Sequence, residues 1–76
     1  MKEKFEKEKK KAKEKITEIT KWIKASIKYM LDYLNEDDFE NAKVEAEDIV
    51  DLAVWIGEEL EAMARLKKIL EDEEED

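Results

Sequence analysis

Cysteine, histidine, proline and glutamine are all missing from this 76-residue chain, and glycine occurs once, at Gly57. Without cysteine no disulfide can staple the fold. With histidine gone as well, the usual zinc, haem and iron–sulfur ligand sets and the Ser-His or Cys-His nucleophile pairs cannot be assembled from it, so no cofactor and no catalytic residue is expected. The scarcity of glycine and proline removes the usual punctuation of strands and tight turns, which leaves an all-α chain. No apolar run approaches the roughly 18 residues of a spanning helix, and the lysine-rich start lacks the apolar stretch of a secretory signal. The expectation is a soluble, cytoplasmic protein with no membrane partner and no small-molecule substrate.

A single core in a chain below about 80 residues rarely yields more than about 3 to 5 kcal/mol of net stability without a staple. Oligomerisation is the staple that remains. What fills the sequence is charge, at 50% of residues, with lysine and glutamate dominant. That lean is shared by hyperthermophile proteins and by idealised designed helices. Thr20 and Ser26 on the inward face, with Leu31 and Val54 on the outward face, are irregularities that binary patterning avoids, and they favour a natural sequence.

Two heptad registers flank a short polar break. The first runs through Phe5, Ala12, Ile16, Ile19, Ile23, Ile27, Met30 and Leu34. The second runs through Phe39, Ala42, Ala46, Ile49, Ala53, Ile56, Leu60, Met63 and Leu70, with Lys67 out of pattern. Alternating steps of three and four are the seam of a long packed helix. The pattern predicts helix one over about 3–34, a turn at 35–38, helix two over about 38–70 and an acidic tail at 71–76, all within one domain. Asn35 suits the left-handed residue that ends a helix, and Asp37 with Glu40 three residues on resembles a capping box, making Asp37 the expected N-cap. So short a link makes the helices antiparallel, with residue i near residue 73 minus i. Ile23 then meets Val50, and Phe5 meets Lys67 and Leu70.

Each helix carries more apolar surface than one neighbour can cover. Helix two has a second stripe at Leu52, Trp55, Ala62, Leu66 and Ile69, and helix one a flank at Trp22, Ser26, Tyr29 and Tyr33. Arcs this wide predict a four-helix bundle, most simply a homodimer. The candidate oligomer interface is Trp22, Tyr29, Tyr33, Leu52, Trp55, Gly57, Leu66 and Ile69. Gly57 costs about 1 kcal/mol against alanine in a helix interior, so it marks a close approach. The pattern leaves open how the helices of two chains pair, including a swap in which the turn straightens.

Residues 1–34 carry eleven lysines against six acids, and residues 35–76 four basic residues against seventeen acids. Antiparallel folding sets these halves side by side, so much of each charge run is answered within the hairpin. Lys7, Lys10, Lys21, Lys24 and Lys28 form an outward stripe that two adjacent copies would present as a candidate nucleic-acid-binding surface. Net charge of −8 and a single arginine, Arg65, weigh against that. Trp22, Tyr29 and Tyr33 interleaved with lysines also suit a membrane surface, but the same net charge disfavours anionic lipid. An acidic rail at Glu40, Glu47, Asp51, Glu58, Glu61 and Asp72 describes a nucleic-acid mimic that would inhibit a nucleic-acid enzyme. Glu45, Glu47, Asp48 and Asp51 have the i, i+3 and i+4 spacing of helical metal sites, yet Glu47, Asp51, Glu58 and Glu61 face away from the seam, as a solvated face does. Exposed Val54 and Trp55 are a candidate docking pair for another protein.

The stretch Tyr29 to Leu34, then Asp38-Phe39-Glu40-Asn41-Ala42, then Ala46, Ile49, Leu52 and Ala53 resembles the second hairpin turn of a family of short archaeal helical proteins of unknown function. This chain has Asp37 where that family has glycine. The resemblance implies a helical hairpin and carries no functional residues. In architecture alone, with no shared residue motif, the chain also resembles the Rop RNA-binding hairpin, which dimerises into a four-helix bundle. The sequence therefore favours a non-enzymatic protein-protein interaction or scaffold module that self-associates, with a Rop-like RNA or DNA binder and an acidic mimic as the alternatives.

Overall fold

A computed structural model describes residues 2–74. Two helices account for nearly all of them: α1 from Lys2 to Asn35 and α2 from Phe39 to Glu74, with no strand among the described residues. At 34 and 36 residues, each is about 50 Å long. They fold back on each other as a thin antiparallel rod of 60 × 16 × 10 Å.

The turn that reverses the chain is built from acids. Asp37 N–H donates to Leu34 O (3.1 Å) and Asp38 N–H to Tyr33 O (2.8 Å), the paired bonds that close a helix around a left-handed residue. That residue is Asp37, with φ of 60°, and not Asn35, which stays helical. Asp38 then begins α2. Its carboxylate accepts from Asn41 N–H (3.2 Å) and from the Asn41 side-chain amide (2.7 Å), and its carbonyl accepts from Ala42 N–H (3.1 Å). The N-cap is therefore Asp38, one residue later than expected, because Asp37 is consumed in ending α1. Helix two also runs four residues past Leu70 into the expected acidic tail, where glutamates are good helix formers and Glu71 pairs with Lys67 (3.8 Å). Glu75 and Asp76 lie outside the described residues.

Buried and half-buried positions trace the seam. On α1 these are Phe5, Glu8, Ala12, Ile16, Ile19, Ile23, Ser26, Met30 and Tyr33, with Thr20 beside them, so Ser26 and Tyr33 replace Ile27 and Leu34, which stay exposed. On α2 the half-buried residues are Ala42, Glu45, Ile49, Leu52, Ile56, Glu59, Met63, Leu66 and Leu70, an unbroken alternation of three and four, with Ala46 beside it. Helix two is thus turned by one heptad column from the expected orientation. Glu45, Leu52, Glu59 and Leu66 face α1, while Phe39, Ala53 and Leu60 point outward. Two leucines fill more of the gap than the two alanines would, and Lys15 Nζ reaches the seam carboxylate of Glu59 at 2.8 Å. Val50, expected opposite Ile23, is 61% exposed and lies outside the half-buried seam. Phe5 lines, with Leu60 and Met63, an open hollow that extends along α1 past Ala12 to Ile16.

Candidate interaction surfaces

The narrow seam leaves the hairpin with two long edges and two outward faces. One edge is aromatic. Trp22 and Trp55 meet across the helices with ring centroids 6.1 Å apart and planes inclined by 44°. Lys15 Nζ sits 5.9 Å above the Trp55 ring while holding Glu59, so a cation joins the indole to the seam carboxylate. Two turns beyond Trp22 and four turns beyond Trp55 the edge continues as Tyr29 and Ile69, both about half exposed. Its neighbours carry charge, with Lys11, Asp48, Asp51 and Glu58 along the same side.

The opposite edge is built differently. On α2 it consists of Phe39, Ala46, Ala53 and Leu60 in one column and Val50, Gly57 and Ala64 in the next, with Lys43 the one charge between residues 39 and 60 in the two. Beside them α1 contributes Thr20, Ile27 and Leu34, with Leu31 further out. Thr20 Oγ1 donates to Ile16 O at 2.8 Å, so its hydroxyl is already paired within its own helix. Away from the turn this edge opens into an apolar hollow of about 260 Å³ lined by Phe5, Lys9, Ala12, Lys13, Ile16, Leu60 and Met63. Gly57 is open on this side: a Cβ placed on it would meet nothing within 4 Å.

The eight expected interface residues fall on three surfaces. Trp22, Tyr29, Trp55 and Ile69 line the aromatic edge. Leu52, Leu66 and Tyr33 are half-buried in the seam, and Gly57 belongs to the small-residue edge. The apolar residues that sequence placed inside the hairpin, Phe39, Ala53 and Leu60, prove to be the exposed edge. Their uninterrupted apolar character was visible, but it reads equally as a buried seam.

The lysine stripe of Lys7, Lys10, Lys21, Lys24 and Lys28 is exposed on the outward side of α1. Glu18 lies 3.9 Å from Lys21, and Lys10 and Lys24 border the small-residue edge. Glu40, Glu47, Asp51, Glu58, Glu61 and Asp72 are likewise exposed on the outward side of α2. Glu61 is held by Arg65 at 2.6 Å and Glu47 lies 4.0 Å from Lys43, so part of that rail is answered locally. Among the described residues no three carboxylates gather where they could hold a metal ion, and no helix is long and apolar enough to cross a membrane. Val54 is exposed and outward, separated from Trp55 by the turn of the helix.

Comparison with protein-family models, with curated proteins and with solved structures finds no match to this chain.

Proposed function

We propose that this protein is a non-enzymatic helical-hairpin module that works by associating with a second copy of itself to form a four-helix bundle. The observation that carries this reading is the mismatch between what the hairpin buries and what it exposes. Among the described residues only Ala12 and Ile19 are buried, while twelve large hydrophobic side chains stand at least 39% exposed. The accessible surface is 6191 Å² for a chain of 9.1 kDa, against about 4,900 Å² for a compact monomer of that mass. The excess, about 1,300 Å², is more than the roughly 800 Å² per partner that a standard stable interface hides. A bundle of four helices supplies the missing cover.

Sedimentation velocity across a wide range of concentrations tests the reading. The expected result is a species of twice the 9.1 kDa chain mass that dissociates on dilution. A monomer at every concentration would remove self-association as the function.

A further inference from the structure

Taking self-association as given, we infer that the second copy packs on the small-residue edge and runs antiparallel to the first, with the two-fold axis passing near Val50. The choice of edge follows from what each can bury. The aromatic edge is flanked by Asp48, Asp51, Glu58 and Lys11, charges that a partner would have to desolvate, and its two tryptophans already cover one another at 6.1 Å. The small-residue edge holds Ile27, Leu34, Phe39, Val50 and Leu60 at 39 to 63% exposure, and its central hydroxyl, on Thr20, is satisfied internally. Gly57 permits a close approach on this edge, because nothing in its own chain occupies the space where a side chain would stand. A second α2 crossing at Ala46, Ala53 and Gly57 uses that space.

Direction follows from lengths and charge. Counting 1.5 Å per residue from the turn, Leu34 and Phe39 stand within about 5 Å of the turn end, and the hollow between Ile16 and Met63 lies about 30 to 38 Å along the rod. The apolar edge spans that interval, and its midpoint, about 20 Å along, is Val50. Antiparallel copies related there bring Phe39, 63% exposed, over the partner's apolar hollow. At about 260 Å³ this hollow exceeds the roughly 150 Å³ cavity that accepts a benzene ring. The same operation sets the turn acids Glu36 and Asp37 beside Lys9, Lys10 and Lys13 of the other chain. A parallel pair would instead stack turn acids on turn acids, and like charges in register oppose association.

Charge exchange and cysteine placement together test this. E36K and K9E/K13E are each expected to associate about tenfold more weakly than the parent at low salt, and an equimolar mixture to recover pairing as a heterodimer. Because the chain has no cysteine, single substitutions report proximity cleanly. V50C should form a disulfide-linked dimer on mild oxidation, whereas L60C should not, since only residues at the axis face their own copies. If the parent dimerises yet L60C links to itself, or the charge variants associate unchanged, this arrangement is wrong while self-association stands. A parent that stays monomeric removes self-association itself.

Discussion

The same substitution made at two neighbouring positions of α1 separates the hairpin seam from the edge beside it. Ile19 is 1% exposed, whereas Ile27, eight residues on and turned about 80° around the helix, is 39% exposed. Truncating a buried isoleucine to alanine removes three carbons at about 0.8 kcal/mol each and leaves a hole, for a loss of about 3 kcal/mol. That is most of the about 3 to 5 kcal/mol available to a chain this small, so Ile19→Ala should lower the melting temperature by more than about 10 °C. In an isolated hairpin Ile27→Ala loses only the covered part of its side chain, about 1.5 kcal/mol. Far-UV circular dichroism at high concentration and tryptophan fluorescence at low concentration can follow both unfolding transitions, since Trp22 and Trp55 report on the closed hairpin. The gap between the variants should be wide in the dilute, monomeric chain and should narrow as concentration rises and a second copy covers Ile27. Equal losses under dilute conditions would refute the seam placement. A gap that ignores concentration would refute coverage of the small-residue edge.

Three further outcomes follow from the turn and from α2. Asp37→Gly should stabilise the hairpin by about 0.5 to 1 kcal/mol in urea titrations, because φ of 60° suits glycine better than aspartate. Asp38→Ala should cost about 1 kcal/mol in the same titration, since it removes the acceptor for both Asn41 donors. Gly57→Ala should raise the stability of the dilute hairpin by up to about 1 kcal/mol, there being open space for the added methyl group, while weakening dimerisation in sedimentation experiments. A rise in both quantities would mean that no partner approaches Gly57.

Helix number, antiparallel order and the place of the turn were legible because the absence of proline and the two registers leave few alternatives. The cap was read one residue early. Asp37 and Asp38 each have a suitable capping partner three residues on, Glu40 and Asn41, and which aspartate is left for the cap depends on which one takes the left-handed conformation. The seam of α2 was misread for a more instructive reason. Periodicity selects the purest apolar column, here Phe39, Ala46, Ala53 and Leu60, whereas the hairpin turns inward a column containing Glu45 and Glu59. What lets Glu59 stand there is Lys15, a residue 44 positions away in sequence, and no local pattern announces that ion pair. The expected interface was drawn from the same pattern. Leu52 and Leu66 looked surplus beside the purer column, and the residues of that column looked spoken for.

Asp37 has a consequence for how the hairpin stays closed. Between Leu34 and Glu40 there is neither glycine nor proline, so every residue of the link is compatible with uninterrupted helix. A continuous α1–α2 rod would release Asp37 from its left-handed backbone and give the helix-end carbonyls ordinary partners. The bend is therefore held by its side faces as well as by the paired bonds and the Asp38 cap at its corner. Asp37 alone works against the turn, and the Ile19 layer, the tryptophan pair and the Lys15–Glu59 contact add to what holds the hairpin shut. The left-handed aspartate makes the turn a joint under slight load, so whatever loosens the packing along the faces also eases the corner.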